Sequence, residues 1–223
     1  YRHYPDYGKV ERGTVLYDGE VVRGFPKVPR TLVLSEGVPR YLEDEVAVEE
    51  KMNGYNPRVA RIDVEVLAFS RRGVVCPFTT KFLRRVYGEE LNAVIDERPD
   101  AVVCGEMIGR DNPYTSHDYD EVGSLDLRVF DVRDRPTGEP MGVKERRALC
   151  EEYGLPSVPF FGVHPVEEAA EEVHAVVSEL DERGREGVVM KTPDVSHQLK
   201  YTTSAANQGD LAYAFSLPFD YGQ

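Results

Sequence analysis

The sequence predicts an α+β fold in which antiparallel strands and amphipathic helices both contribute to the core. Residues 59–69 alternate apolar and polar side chains, which is typical of a strand with one buried face in an antiparallel sheet. Residues 166–182 instead place apolar side chains three and four positions apart, which indicates a helix that packs one face on the core. A chain of 223 residues is long enough to bury one large core or two smaller ones.

The N-terminal part, residues 1–45, is expected to be a strand-rich segment. Turn residues at Asp18-Gly19 and Glu36-Gly37 separate short runs with strand character. These strand candidates are Thr14–Tyr17, Glu20–Arg23 and Thr31–Ser35.

The remainder of the chain alternates between the two element types. Helices are expected from Thr79 or Thr80 to Tyr87, from Val143 to Tyr153 and from Val166 to Glu182. Besides 59–69, strands are expected at residues 46–50, 74–78, 101–109, 125–132, 157–163, 186–191 and 198–202.

Composition excludes a membrane-spanning protein. The sequence has no apolar run near the roughly 20 residues that a spanning helix requires, and no signal segment opens it. The three cysteines are odd in number, widely spaced and in apolar surroundings, which favours reduced thiols over disulfides or a zinc site. We therefore expect a cytoplasmic protein without a membrane partner. Because the sequence begins at Tyr1, we expect a fragment of a longer protein.

Charge is distributed unevenly along the chain. The net charge of −13 disfavours nucleic-acid binding by the surface as a whole. Residues 58–85, however, hold seven cations against Asp63 and Glu65, a local balance of +5. Such a tract can bind a polyanion locally. Its helical cations Lys81, Arg84 and Arg85 form either a solvated face or one that meets RNA or phosphate.

Lys51 is the first candidate for chemistry. It follows an apolar strand, lies next to Glu49 and Glu50, and precedes a turn that contains Gly54. A lysine amine attacks phosphorus only in its neutral form, so a reactive Lys51 requires other cations, a metal ion or desolvation nearby. The alternative is a solvated lysine at the rim of a hairpin.

Three later residues could complete such a site. Glu106 interrupts an apolar strand between two glycines, and a buried carboxylate is costly unless it is paired or accepts a hydroxyl or a metal ion. Glu106 is therefore predicted to accept a hydrogen bond from a hydroxyl or to bind a metal ion. The alternative is a surface acid at the end of a strand. Lys191 ends one short strand, and Lys200 lies within another. Both supply the additional positive charge that Lys51 requires.

An ordered set of motifs resembles that of the covalent nucleotidyltransferase superfamily, which contains DNA ligases, RNA ligases and mRNA capping enzymes. The motifs are Lys51-Met52-Asn53-Gly54, Ser70-Arg71-Arg72-Gly73, Gly105-Glu106, Val129-Phe130-Asp131, Glu186-Gly187-Val188-Val189-Met190-Lys191 and Leu199-Lys200-Tyr201. The longer sequence around Lys51, with Phe25-Pro26-Lys27 upstream, is similar to that of the archaeal ATP-dependent RNA ligases, the homodimeric type that can circularise RNA. The resemblance extends from about Gly24 to Asn207.

This resemblance implies a fold, a reaction and a set of roles. The fold would be an α+β nucleotidyltransferase (ATP-grasp-like ligase) fold of two antiparallel sheets flanked by helices, with ATP in the groove between the sheets. Residues 46–207 would be the adenylyltransferase domain. Lys51 would attack the ATP α-phosphate and form lysyl-AMP, AMP would pass to an RNA 5′-phosphate, and an RNA 3′-hydroxyl would displace it.

The remaining residues would bind the nucleotide and its metal ion. Lys191 and Lys200 would act at the α-phosphate as catalytic residues, and Glu186 would hold Mg²⁺ or Mn²⁺ or a water. Glu106, Arg71 and Asn56 would contact ribose or phosphate. Phe130 would stack on adenine, unless it is an ordinary core aromatic, and the backbone at Glu50 would read the base edge.

Two departures from the family pattern affect these expectations. Thr202 stands where many relatives have a second lysine. Neutralisation of the charge on the α-phosphate would therefore depend more on Lys191 and Lys200. Relatives also continue into a C-terminal region that mediates dimerisation, so residues 208–223 would be the start of that region and a homodimer is expected only for the longer protein. A DNA ligase, a GTP-using capping-type enzyme and an RNA-binding module with an unreactive lysine stay open as alternatives.

Overall fold

A computed structural model describes residues 10–203 and residue 206 of the chain. These residues divide into two units, each with its own core. The described part of unit 1 comprises residues 10–27 and 54–157, and that of unit 2 comprises residues 28–53, 158–203 and 206. The expected domain bounds, 1–45 and 46–207, stay a prediction, and residues 208–223 lie outside the described part of the chain.

Unit 1 is built on a four-stranded antiparallel sheet in the order β5-β4-β6-β7. The strands are β4 (Pro57–Ile62), β5 (Glu65–Ser70), β6 (Ala101–Ile108) and β7 (Asp126–Asp134). The helices are α2 (Pro77–Val86), α3 (Gly88–Glu97) and α4 (Val143–Glu152). Apolar side chains of these helices, such as Leu83, Leu91 and Leu149, share one buried cluster with Val103 and Val129 of the sheet. A two-stranded hairpin of β1 (Val15–Tyr17) and β2 (Glu20–Val22) precedes them.

Unit 2 is built on a second four-stranded antiparallel sheet in the order β10-β9-β3-β8. The strands are β3 (Glu45–Glu50), β8 (Phe160–Pro165), β9 (Gly187–Lys191) and β10 (Gln198–Thr202), and the helices are α1 (Leu34–Tyr41) and α5 (Val166–Glu182). Val173 and Val177 of α5 pack with Val38 of α1 on Val48 and Val188 of the sheet. The helices therefore cover one face of this sheet, and the alternate side chains of β3, β9 and β10 lie on the other.

The expected α+β class with antiparallel sheets and flanking helices is confirmed. Every helix in the described part of the chain is too short or too polar to cross a bilayer.

The expectation of one strand over residues 59–69 is wrong. The chain forms β4 and β5, which pair so that Ile62 lies opposite Glu65 across a two-residue turn. Asp63 has a φ of 52°, which aspartate tolerates in a turn, and Val64 is 90% exposed at the tip. A turn of two residues preserves the alternation of period two, so the sequence pattern does not reveal it.

The strand expected at Thr31–Ser35 is also wrong, because α1 begins at Leu34 and continues through Gly37 and Pro39. Gly37 is required for packing, since a Cβ there would lie 2.2 Å from Oγ1 of Thr31. Gly37, a residue type that usually indicates a turn, therefore lies inside a helix and packs against Thr31.

The strand expected at residues 74–78 is replaced by the start of α2. Pro77 occupies the first turn of the helix, where its missing N–H removes no hydrogen bond, and the residue before the helix is Cys76, not Thr79 or Thr80. Val75 forms one isolated bridge with Phe69. Helix α3, which follows directly, is not predicted by the sequence analysis.

Candidate active site

Lys51 lies directly after β3, the strand that pairs with both β8 and β9 in unit 2. Its backbone N–H donates to the carbonyl of Gly187 at 2.8 Å, which fixes the lysine against the start of β9. Gly187 has a φ of 138°, and a Cβ there would lie 2.3 Å from the carbonyl oxygen of Tyr201. Only glycine permits this close approach of β9 to β10 beside Lys51.

The amine of Lys51 is paired with Glu186. Lys51 Nζ and Glu186 Oε1 lie 2.5 Å apart, and the two side chains are 24% and 22% exposed. Sequence reasoning assigned Glu186 to a metal ion or a water. The structure brings Glu186 to Lys51 because Glu186 immediately precedes the glycine that receives the Lys51 N–H.

Lys191 forms a buried ion pair with Glu49. Lys191 Nζ and Glu49 Oε2 lie 2.8 Å apart, with the side chains 2% and 1% exposed. The register places Lys191 opposite Ala47, and Glu49 opposite Val189, so the two charged side chains occupy adjacent rows on neighbouring strands. Two buried charges require such a partner, since an unpaired buried charge costs several kcal/mol.

Lys200 shares this face of the sheet. Its neighbours in β10, Leu199 and Tyr201, lie in the core beneath the helices, so Lys200 points to the opposite face. Lys200 lies opposite Val189, which in turn lies opposite Glu49. The face away from the helices thus carries Glu49, Lys191 and Lys200, next to the end of β3 that bears Lys51.

The turn between Lys191 and Lys200 is ordered by Asp194. Its carboxylate accepts hydrogen bonds from Oγ1 of Thr192 at 2.7 Å and from the N–H and Oγ of Ser196 at 3.0 and 2.8 Å. The hydrogen bond from Thr192, and then those from Ser196, lower the pKa of Asp194 from 3.8 to about 2. The turn therefore positions the two lysines on their paired strands.

We expect an NMR titration of the Asp194 carboxyl carbon to give a pKa near 2. The folded pKa lies below the ordinary value of 3.8, so this carboxylate stabilises the turn above pH 3.8, and the stabilisation is lost as the pH falls through about 2. A midpoint at the ordinary value would show that the three hydrogen bonds do not form in solution.

Glu50 and Arg185 form a second buried pair in unit 2. Glu50 Oε1 and Arg185 Nη1 lie 3.6 Å apart, and both side chains are almost fully buried. The backbone N–H of Glu50 donates to the carbonyl of Pro159 at 2.9 Å. This amide is therefore engaged within unit 2, and base recognition by the backbone at Glu50, which stays a prediction, would use another atom.

In unit 1, Glu106 lies beside the segment that follows the lysine motif. Tyr55 and Met107 exchange backbone hydrogen bonds of 3.2 and 2.8 Å, which aligns residues 54–56 with β6. A Cβ on Gly54 would lie 2.1 Å from the carbonyl oxygen of Met107 and 3.0 Å from Cγ of Glu106. The glycine of the motif is thus required where the chain passes Glu106.

Asn56 carries a polar atom that suits a ligand. It is buried, and within residues 10–203 and 206 its Oδ1 accepts no hydrogen bond. A buried acceptor of this kind costs stability unless a ligand or water satisfies it. The observation is consistent with the predicted contact of Asn56 to ribose or phosphate.

Phe130 is partly exposed on β7, on the same face of the sheet as Arg128, which pairs with Glu106 in register. Its ring and the buried Phe25 ring form a T-shaped pair, with centroids 5.3 Å apart and planes at 85°. The guanidinium of Arg133 lies 5.0 Å from the Phe25 centroid and pairs with the buried Asp131 at 2.9 Å. Phe25, in the upstream Phe25-Pro26-Lys27 motif, therefore supports the orientation of Phe130.

Two arginines of the basic tract, Arg58 and Arg71, differ in accessibility. Arg58 is fully buried, and its guanidinium donates to the carbonyls of Arg23, Gly13 and Ser70. Burial lowers the pKa of Arg58. Arg71, in the turn after β5, is exposed. Arg58 therefore fastens the N-terminal hairpin region to the sheet and is not available to a polyanion, contrary to its inclusion in the basic tract.

Within the described residues, no group of three or more His, Cys, Asp or Glu side chains could hold a metal ion. Two clefts of about 350 and 370 Å³ lie in unit 1, one between β5 and helices α2 and α3, the other beside the ends of β6 and β7. Neither cleft is lined by a residue that the sequence analysis assigned to the site.

The structure thus gathers the predicted residues into two groups, one in each unit. Lys51, Glu186, Lys191 and Lys200 lie on or beside three adjacent strands of unit 2. Asn56, Glu106 and Phe130 lie along β6, β7 and the segment beside them in unit 1. Sequence reasoning gave no role to Glu49 or Arg185 and counted Arg58 with the basic tract, although an acid two residues before the motif lysine and an arginine within an apolar strand were visible signals.

The model of the RNA ligase family matches residues 44–203 of this chain. An uncharacterized protein of Methanocaldococcus jannaschii is 40% identical over 225 residues, which covers 97% of this chain and 56% of that protein.

Solved structures of the same fold include an archaeal ATP-dependent RNA ligase, 54% identical with a TM-score of 0.87, covering 96% of this chain and 58% of that one. They also include a putative ATP-dependent DNA ligase from Aquifex aeolicus, 33% identical with a TM-score of 0.84, covering 96% of this chain and 60% of that one. The chain therefore spans a little over half the length of these relatives.

Proposed function

The chain belongs to the RNA ligase family, and on this premise we propose that it joins RNA ends with ATP through a lysyl-AMP intermediate on Lys51. The observation that carries the proposal is the placement of Lys51 at the end of β3, paired with Glu186 and beside strands that bear Lys191 and Lys200. The expected nucleotidyltransferase type of α+β fold is confirmed by the likeness to the archaeal enzyme.

The first step is a displacement at the α-phosphorus of ATP. The neutral amine of Lys51 forms an N–P bond, the bond from the α-phosphorus to the bridging oxygen breaks, and pyrophosphate leaves while the nitrogen loses a proton to solvent. Lys191 and Lys200 neutralise negative charge that accumulates on the α-phosphate oxygens. The buried Glu49 holds the ammonium of Lys191 in place, so this cation does not have to be ordered when ATP binds.

Glu186 has two roles in the proposed reaction: it pairs with Lys51 in the free protein, and it is the candidate ligand of a metal ion. An ammonium has no lone pair, so the Lys51–Glu186 ion pair of the free protein must separate before attack. Glu186 would then be free to hold a divalent ion, Mg²⁺ or Mn²⁺, which would neutralise charge on the triphosphate. One carboxylate fits this need, because Mg²⁺ is usually bound by one or two carboxylates together with substrate phosphates.

Residues of unit 1 recognise the nucleoside in this proposal. Glu106 accepts from a ribose hydroxyl, and Asn56 brings an Oδ1 that no described residue satisfies. Phe130, which forms a T-shaped pair with Phe25, stacks on adenine. Arg71 is exposed and contacts ribose or phosphate through its forked guanidinium.

The second and third steps transfer AMP to RNA and then release it. An oxygen of the RNA 5′-phosphate attacks the α-phosphorus, the N–P bond breaks, and Lys51 recovers its proton. The RNA 3′-hydroxyl then attacks the activated 5′-phosphate, AMP leaves, and the hydroxyl proton is released as the phosphodiester forms. RNA with a 5′-phosphate and a 3′-hydroxyl is therefore the proposed substrate, and homodimerisation stays a prediction.

A DNA ligase is the second candidate, because the Aquifex relative is described as one. Incubating the protein with α-labelled ATP or GTP, followed by denaturing electrophoresis, tests the first step and the choice of nucleotide. Supplying 5′-phosphorylated RNA or DNA in turn tests the acceptor. We expect label on the protein from ATP and its transfer to RNA; label from GTP alone, or transfer to DNA alone, would overturn the proposal.

Glu106→Ala and Lys200→Ala should each lower the rate of labelling by more than about tenfold. Each removes a group that contacts the nucleotide, and a tenfold loss corresponds to about 1.4 kcal/mol at the transition state. Glu171→Ala, on the exposed face of α5, is the control and should label at the normal rate. Equal rates in all three variants would show that the assigned residues belong to the scaffold.

A further inference from the structure

Residues 66–88 of unit 1 contain no acidic residue, although 40 of the 223 residues of the chain are Asp or Glu. The charged residues of this stretch are all cations, and all of them are exposed: Arg71, Arg72, Lys81, Arg84 and Arg85. In a protein with a net charge of −13, all the charged side chains of helix α2 are therefore cations.

These cations have no acidic partner among the described residues, unlike several other arginines of unit 1. Arg61 pairs with Asp96, Arg128 with Asp126 and Arg135 with Glu20. Within the described part of the chain, the cations of residues 66–88 form no ion pair closer than 4.0 Å. Their charge is therefore available to a ligand, whereas the ion pairs elsewhere neutralise theirs.

Helix α2 also exposes aromatic and apolar side chains between its cations. Phe78 is 49% exposed, and it lies three and seven residues before Lys81 and Arg85, which places all three along one stripe of the helix. Tyr114, 66% exposed, contacts the Tyr55 ring with centroids 4.8 Å apart. The hydroxyl of Tyr55 lies 2.7 Å from Oγ1 of Thr79 in α2, so Tyr114 stands next to the start of this helix.

We propose that this face of unit 1, the α2 surface, binds the single-stranded end of the RNA substrate. The α2 surface is defined by Phe78, Lys81, Arg84, Arg85 and Tyr114. Exposed aromatic rings suit unstacked bases, and cations between them suit the phosphates that connect those bases. A duplex would hide its bases from Phe78 and Tyr114, so the mixture of rings and cations favours a single strand.

The inference rests on the proposed function for the identity of the strand, but the two can be tested separately. Arg71 and Arg72 are left out of the α2 surface, because Arg71 is assigned to the nucleotide and its replacement would affect both. The remaining five residues are given no task in lysine adenylylation. Changes on the α2 surface should therefore weaken RNA binding and leave AMP labelling intact.

The experiment measures binding of a short, fluorescently labelled single-stranded RNA by anisotropy at several salt concentrations, with α-labelled ATP in a parallel assay of adenylylation. The variants are the double replacement Lys81→Gln with Arg85→Gln, and Phe78→Ala. The controls are Lys144→Gln, an exposed lysine on α4, and Tyr41→Ala, an exposed aromatic on α1. Circular dichroism and Tm confirm that each variant folds.

We expect the double variant to lose about tenfold or more in affinity and to show a shallower dependence on salt, by about 0.7 in logarithmic slope for each phosphate contact removed. Phe78→Ala should lose roughly tenfold because a base loses its stacking partner. Both should adenylylate at the wild-type rate, and both controls should bind RNA normally.

Three results would overturn the inference: no RNA binding by the wild-type protein, equal binding by all variants, or an equal loss in the controls. Tighter binding of duplex than of single-stranded RNA, or loss of binding to anionic vesicles without loss of RNA binding, would assign the α2 surface to another partner. If RNA binding follows the expected pattern but the protein is never labelled with AMP, the proposed function is rejected and the assignment of RNA binding to the α2 surface is retained.

Discussion

Lys51→Ala is expected to abolish AMP labelling of the protein and to leave its fold intact. In the proposed reaction the side chain of Lys51 provides the nitrogen of the phosphoramidate, and Lys191 is held by Glu49 and so does not replace it. The Lys51–Glu186 pair is about one quarter exposed, so water can solvate Glu186 once the lysine is removed. Loss of a partly exposed pair costs on the order of 1 kcal/mol or less.

Lys144→Ala is the matched control, because it removes an exposed lysine from a helix of unit 1. The measurement is denaturing electrophoresis after incubation with α-labelled ATP and Mg²⁺, together with thermal unfolding of each variant. Lys51→Arg should also fail to label, since a guanidinium stays protonated and cannot act as the nucleophile. Undiminished labelling of Lys51→Ala would remove Lys51 from this role.

Lys191→Met is expected to lose both labelling and stability. The side chain of Lys191 is 2% exposed and forms an ion pair at 2.8 Å with Glu49, which is 1% exposed. Removing it leaves a buried carboxylate without its counter-charge, which typically costs about 3 to 5 kcal/mol. Denaturant unfolding measures this loss, and Lys200→Ala, on a partly exposed side chain, should not reproduce it.

The double variant Glu49→Gln with Lys191→Met separates the two roles of Lys191. With both charges removed, the buried site has no uncompensated ion, so much of the lost stability should return. Labelling should not return, because in the proposed reaction the α-phosphate still lacks the positive charge of Lys191. If Lys191→Met alone is as stable as the wild-type protein, the buried ion pair does not exist in solution.

Elements with a long or regular pattern were predictable from the sequence. Helix α5 has its predicted bounds of Val166 and Glu182, since seventeen residues of helical spacing leave little ambiguity. The β4–β5 hairpin was not predictable, because a two-residue turn keeps the alternation in phase. Helix α1 was missed because Gly37 and Pro39 resemble turn residues, and only their packing in the fold accounts for them.

Some features of the candidate site were likewise predictable from local sequence, and others depend on the fold. Lys51, Glu106 and Lys200 could be named as candidates from local sequence, because Lys51 follows a strand that ends in a glycine-containing turn and the other two stand among apolar residues. The pairing of Glu49 with Lys191 depends on the register of β3 against β9, which links residues 142 positions apart. The burial of Arg58 likewise depends on three carbonyls from distant segments, so a count of charges along the chain overestimated the basic surface.

The most direct test of a lysyl-AMP ligase is peptide mapping of the adenylylated protein by mass spectrometry. The protein is incubated with ATP and Mg²⁺, digested under conditions that preserve the acid-labile N–P bond, and the peptides are sequenced. We predict one AMP moiety, attached to Lys51, that disappears when 5′-phosphorylated RNA is added. AMP on another residue, or no covalent AMP in a protein that still seals RNA, would contradict the account.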